Sequence, residues 1–301
     1  MRFHSIHLQA LTLVALVLTT FSFVAESTLR ILHSSSPEAS FASVSTAVIG
    51  KQEVFIIDSG FTVSAAQQLI TLIRQSTSLP VTKIFATHEH PDHYFGATEV
   101  LRAYPNASLL ASPSVVQNMR QSVQEKVGQW TPVFGQAEIP SSPKTAEPFR
   151  GNRISLRGNE DEPIHLLQPL QGDVEDVTAY WIPSQKTLIT GDLVYSSKIH
   201  VWLAEAQRPR NRANWIRSLN YLNSLGPTLV IGGHVPSTET PRVSDIQATK
   251  EYIEYFDKNV YGKGYTTQQI FDLLKSRYPD RIGLAILNQT AIAFGKQGAT
   301  E

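Results

Sequence analysis

Cysteine is absent from all 301 residues, and methionine occurs only twice. Without thiols the chain has no disulfide staples, no thiolate nucleophile and no sulfur-ligated metal. An excess of charge is missing as well: 26 Lys and Arg balance 26 Asp and Glu. A nucleic-acid surface driven by counterion release needs a basic surplus, so nucleic acid is not an expected partner. The low hydropathy and high net charge that mark disorder are also lacking, since 42% of residues are hydrophobic and 17% charged. That is enough apolar material for one large domain or two small ones. Any metal must be held by the nine histidines, by Asp and Glu, or by neutral oxygens.

One apolar run stands apart, at the start. Arg2 precedes an apolar stretch from Leu8 to Leu18 and another from Phe21 to Ala25, followed by Ser27. A positive start, a short hydrophobic centre and a small-residue exit read as an export signal over residues 1–25. The competing reading is an uncleaved anchor, but a spanning helix needs about 20 apolar residues and this run is marginal. The expectation is a secreted domain over residues 26–301, free of the membrane once the signal is removed. Asn106-Ala-Ser108 and Asn288-Gln-Thr290 are glycosylation sequons in a host that uses them.

After the signal, strands and helices mix in both halves. Ser45 to Ile49 and Glu53 to Ile57 read as a hairpin, Val63 to Ile73 as a helix and Val81 to Ala86 as a strand. Tyr94 to Tyr104 reads as one helix stopped by Pro105, and Pro113 opens another to about Val127. Trp130 to Gly151, rich in Pro, Ser and Gly, reads as a long loop of the kind that serves as a lid. Four short strand candidates follow between Ile154 and Thr190, then a helix over Arg212 to Leu225 and a buried-type strand over Thr228 to Ile231. Two helices close the chain, Val243 to Lys258 and Thr266 to Arg277. The pattern predicts a mixed α/β (α+β) fold, two mixed sheets facing each other with helices outside.

Three histidines fall within six residues, in Thr87-His88-Glu89-His90-Pro91-Asp92-His93-Tyr94, between a strand and a helix. In an extended segment alternate side chains share a face, so His88 and His90 can grip one ion. Asp92 and His93, at the turn into the helix, suit a second ion nearby. Imidazole and carboxylate are the ligands zinc accepts when thiolate is unavailable.

His88-Glu89-His90-Pro91-Asp92-His93 resembles the HxHxDH signature of the metallo-β-lactamase-fold hydrolases. Asp58 after an early strand, Gly191-Asp192 and Gly233-His234 after later strands are similar to further pieces of that family, in its order. The resemblance spans roughly residues 40 to 260. It implies a four-layer αββα sandwich with a metal centre at one edge, and a metallo-β-lactamase-like domain over residues 26–301. By that match His88 and His90 hold the first zinc, Asp92, His93 and His234 the second, and Asp192 bridges them. Asp58 reads as a structural carboxylate bonding the backbone of the metal loop.

The family normally supplies a third histidine to the first zinc, in a turn before an acidic, Thr-containing strand. The matching stretch here is Leu170-Gln171-Gly172-Asp173-Val174-Glu175-Asp176-Val177-Thr178. Gln171 takes the histidine position, and slips of one or two residues put Gly172 or Asp173 there; none is His. Gln offers a neutral amide oxygen, Asp a charged one. Three readings follow: a weakened zinc site using Gln171 or Asp173, a single occupied site, or a metal-binding member without activity.

The resemblance implies a zinc-dependent hydrolase, with one or two zinc ions per chain, in which a metal-bound hydroxide cleaves an ester, lactone, thioester or amide of a small molecule. Asp92 would orient the water and pass on its proton, which makes it the catalytic candidate. His200 and Trp202, downstream of the bridging Asp, are candidates for the substrate pocket or for ordinary packing. Tyr94 is a candidate rim hydroxyl, with packing at a helix start favoured. Arg208, Arg210 and Arg212 read as a solvated helix start more than as an anion funnel. A true β-lactamase and a noncatalytic metal binder are the alternatives, since fold does not choose among substrates. The sequence leaves the oligomeric state open.

Overall fold

The computed structural model describes residues 28–296; the proposed export signal lies outside the described residues. Among the described residues, eleven strands form two sheets. The first holds β1 (Arg30–Ser35), β2 (Val44–Ile49), β3 (Val54–Ile57), β4 (Val81–Phe85), β5 (Ser108–Ala111) and β6 (Glu147–Pro148), in that spatial order. β1 to β3 run antiparallel, and β3 to β6 pair in parallel. The second holds β7 (Arg153–Ile154), β8 (Ile164–Leu170), β9 (Val177–Ile182), β10 (Thr187–Ile189) and β11 (Leu229–Ile231). It is antiparallel except for the parallel pair β10 and β11.

The helices are α1 (Val63–Ser76), α2 (Pro91–Tyr94), α3 (Ala97–Ala103), α4 (Pro113–Phe134), α5 (Pro209–Ser224), α6 (Ser244–Asn259), α7 (Thr267–Arg277) and α8 (Leu284–Phe294). Local chemistry starts several of them. Thr62 and Ser112 accept the backbone N–H three residues on, at α1 and α4, and Thr266 with Gln269 forms a capping box at α7.

Alternation along the strands builds the layers. In β3, Val54 and Ile56 face a core shared with α1, α3 and α4, while Phe55 and Ile57 face the other sheet. In β9, Val177 and Ala179 face a core made with α5, α6, α7 and α8, while Tyr180 and Ile182 face inward. Three apolar cores therefore separate four layers, helix, sheet, sheet, helix, as the sequence pattern predicted. Phe85 centres the inter-sheet core, with ring centroids 6.0 Å from Phe55, 5.6 Å from Phe149 and 5.7 Å from Tyr180.

Five elements differ from the sequence reading. The helix expected over Tyr94 to Tyr104 is two, α2 and α3. They part at Gly96, where a Cβ would meet the Ser59 carbonyl oxygen at 2.1 Å. The loop expected from Trp130 begins instead after two further turns of α4, with Pro132 inside the helix. Trp130 and Phe134, four apart on one face, pack on Phe61 at 5.4 and 4.9 Å between centroids, and this packing carries the helix through the proline. β1, α8 and β6, which lies within the expected loop, were not anticipated. Arg212, expected at a solvated helix start, is fully buried: it pairs with Asp257, donates to the Ala206 and Gln207 carbonyls, and lies over the Tyr261 ring.

Candidate metal centre

The sheets deliver their chemistry to one edge. Asp58 follows β3, the His88 to His93 run follows β4, Asp192 follows β10, His234 follows β11, and Asp173 lies in the turn between β8 and β9. Close backbone approach there requires glycine: Gly191 sits at φ +50° against Thr87, and a Cβ on Gly233 would meet Asp192 Oδ1 at 2.0 Å. This accounts for the Gly-Asp and Gly-His pairs.

Two groups form. His88, His90, Asp173 and Asp192 place one ligand atom each within 4.8 Å of one another, and Asp92, His93 and His234 do the same. All seven are buried. Asp192 joins the groups: its Oδ2 is 3.0 Å from His234 Nε2 and 3.9 Å from His88 Nε2, and its Oδ1 is 3.1 Å from His93 Nε2. Asp92 Oδ2 lies 3.4 Å from His93 Nε2 and 3.5 Å from His234 Nε2. Asp173 Oδ2 lies 3.0 Å from His90 Nδ1.

Each imidazole is held from behind by an acceptor, which fixes its tautomer. The Thr87 hydroxyl donates to Asp58 Oδ2 at 2.9 Å, so its lone pair takes the His88 Nδ1 proton at 2.9 Å. Asp58 Oδ2 also takes the His93 Nδ1 proton, at 2.8 Å, and Asp58 Oδ1 accepts the Thr87 backbone N–H at 2.8 Å. His234 Nδ1 donates to the Phe41 carbonyl at 2.7 Å, and His90 Nε2 to Glu205 at 2.7 Å. The remaining ring nitrogens face inward, toward the carboxylates of Asp92, Asp173 and Asp192. His88 Nε2, His93 Nε2, Asp173 Oδ2 and Asp192 Oδ1 are buried there without a hydrogen-bond partner. Unpaired buried groups of this kind are costly, and cations would satisfy all four. The donor set fits divalent metal.

The electrostatics agree. Burial depresses the His93 imidazole, yet Asp192, Asp92 and Asp58 outweigh it and hold the ring well above its usual range. Burial likewise opposes a charge on His90, and Glu205 and Asp173 overcome it. On Asp173 burial wins, pushing the carboxyl up to about 7 against the pull of His90. Protons thus stand where cations would go, so metal uptake would release them and weaken as pH falls.

Of the sequence candidates for the third position, the geometry brings Asp173 into the first group and turns Gln171 away. The Gln171 amide donates to the Gly172 and Val174 carbonyls and accepts from Asn211, closing the turn from inside. β8 shifts register between Leu167 and Leu170, shortly before the turn that carries Asp173. Asp58 is the loop-holding carboxylate expected.

A cavity of about 250 Å³ opens above the groups, reached by His90, Asp92, Asp192 and His234. Trp202, left between pocket and packing by the sequence, lines it. His200 does not: it is buried away from the cavity, with Nδ1 3.0 Å from the Tyr252 hydroxyl. Burial, then the nearby charge of Arg281, lower its pKa to about 3, so the ring stays neutral. Tyr94 is a core residue of the α1, α3 and α4 layer, not a rim hydroxyl. Asn106 and Asn288 are both exposed.

Two contributors were missed. Tyr195 donates to Asp192 Oδ2 at 2.6 Å and stacks on His234; its position three residues after Asp192 was the available signal. Glu205 carried none, sitting in an irregular segment 115 residues beyond His90.

Comparison with known proteins agrees with this geometry. The profile described as "Metallo-beta-lactamase superfamily" matches residues 40–234. A metallo-beta-lactamase from Pontibacter korlensis is 18% identical, with a TM-score of 0.55 over 76% of this chain and 95% of its own. The DIM-1 metallo-beta-lactamase is 21% identical, with a TM-score of 0.56 over 76% of this chain and 94% of its own. TMB-1 is 19% identical, with a TM-score of 0.54 over 76% of this chain and 94% of its own. At these identities the structures show the shared fold; comparison with curated sequences found no match. With the family profile spanning every residue of both metal groups, the chain belongs to the metallo-beta-lactamase superfamily.

Proposed function

We propose that the protein is a binuclear metal-dependent hydrolase of a small ester, lactone, thioester or amide. The observation that supports it most is the set of buried inward nitrogen and oxygen atoms, unpaired and adjoining an open cavity. His88, His90 and Asp173 would hold one divalent ion, Asp92, His93 and His234 the other, with Asp192 between them. When bound, such ions, zinc among them, supply the Lewis acidity that makes water a nucleophile near neutral pH and polarises a carbonyl.

The chain's own residues do the rest. Asp92 lines the cavity and has its carboxylate beside His93 and His234 of the second group. It is placed to accept a proton from the attacking water and return it to the leaving group. Tyr195, its hydroxyl kept protonated by burial and by Asp192, fixes the shared carboxylate. Phe41, Trp130, Trp202 and Ile286 give the cavity apolar walls, which suits a compact substrate with an apolar portion.

Chromogenic esters, lactones, thioesters and a cephalosporin, assayed with added zinc and with chelator, test this reading. At least one is expected to turn over, with activity lost on chelation and in His90→Ala. Turnover indifferent to both, or none at all, overturns it. Export is part of the proposal, supported by the composition of residues 1–25. The N-terminus of protein recovered from the medium checks it.

A further inference from the structure

The two metal groups are alike in donors. The second offers two imidazoles and the Asp92 carboxylate. The first offers two imidazoles and the Asp173 carboxylate. Asp192 stands between, within 3.0 Å of His234 and 3.9 Å of His88. We infer that the first group is a second two-histidine, one-carboxylate site, and that the pair takes two like ions, manganese(II) as well as zinc.

The placement of Asp173 supports this over a damaged zinc site. Its Oδ1 accepts the Val174 N–H at 2.8 Å, leaving Oδ2 fully buried and aimed at His90 Nδ1, 3.0 Å away. The turn is braced for that purpose, with Gly172 N–H on the Val174 carbonyl at 2.9 Å and the Gln171 amide on the Gly172 and Val174 carbonyls. A third imidazole would favour zinc and its neighbours, whereas an anionic oxygen suits manganese and iron(II) and raises the negative charge facing the ion. With the carboxylate supplied, neither group holds an obvious advantage, and the ions should load together. The inference rests on the metal centre of the proposed function, but its readout is binding, not turnover.

Apo protein titrated with manganese(II), followed by electron paramagnetic resonance, tests it. Wild type is expected to bind two ions per chain and to show the exchange-coupled signal of a close pair. Asp173→Asn, which keeps the shape and removes the charge, should bind one and lose that signal. Gln171→Ala should keep both. Wild type that binds two zinc ions but only one manganese overturns the inference alone. So does Asp173→Asn retaining two coupled manganese ions. Failure to bind either metal removes the proposed function as well. Should Asp173→Asn not fold, judged by circular dichroism, the wild-type stoichiometries decide by themselves.

Discussion

The two metal groups use the same donors but are held by different parts of the molecule. Behind the second group stands Asp58, buried, bonded to both the backbone and the hydroxyl of Thr87 and to His93. Behind the first stands Glu205, whose side chain is 39% exposed and lines the cavity. The support behind the second group is thus locked into the interior, while the support behind the first shares a wall with whatever fills the cavity. A carboxylate backing a histidine does the same electrostatic work in both places, yet only Asp58 also holds the strand end and the loop together. Removing each should therefore have separable consequences.

The largest effect is expected where the groups join. Asp192→Asn removes the shared negative charge, and both ions should be lost or weakened together. Activity should then fall by roughly 10³-fold or more, the scale of several kcal/mol of Lewis-acid stabilisation. Metal content and turnover measured on the same sample check this, and loss of only one ion would show that the groups are independent. Asp58→Ala comes next. It strands the Thr87 N–H and His93 in the interior, and should cost about 3–5 kcal/mol of stability, read from urea unfolding. Glu205→Ala should leave the unfolding midpoint nearly unchanged but weaken ion binding at the first group by roughly 10–100-fold, seen by competition with a chelator. Equal stability losses from these two would erase the contrast between them. The smallest effect is expected from Gln171→Ala: about 1 kcal/mol from its lost turn hydrogen bonds, with two ions still bound. A drop in metal content there would return Gln171 to the ligand set.

Legibility in the sequence followed chain distance. His88, His90, Asp92 and His93 are neighbours, and their strand-to-helix setting is local, so their grouping could be read directly. Asp192 and His234 each follow a glycine at a strand end. That glycine is required by a close backbone approach, which left a mark in the sequence. Asp173 was one of three possibilities, because choosing among them needs the register shift in β8 and the bracing of the turn, neither of which is written in residue types. Glu205 has no local signature at all. The four-layer plan was legible from alternating strands, while the extra turns of α4 were not, since they depend on Trp130 and Phe134 meeting Phe41 and Phe61 from elsewhere in the chain. His200 looked like a pocket residue by its distance from Asp192, but its partner Tyr252 lies on α6.

The cavity wall carries one more consequence. Ile286 and Gln289 line it from α8, outside the span of the family profile that contains every proposed ligand. Part of the cavity wall is thus encoded outside the stretch of chain that carries the proposed ligands. An exchange of the segment after residue 234, or a combinatorial library restricted to α8, can redirect which molecules enter without altering a single atom that faces the ions.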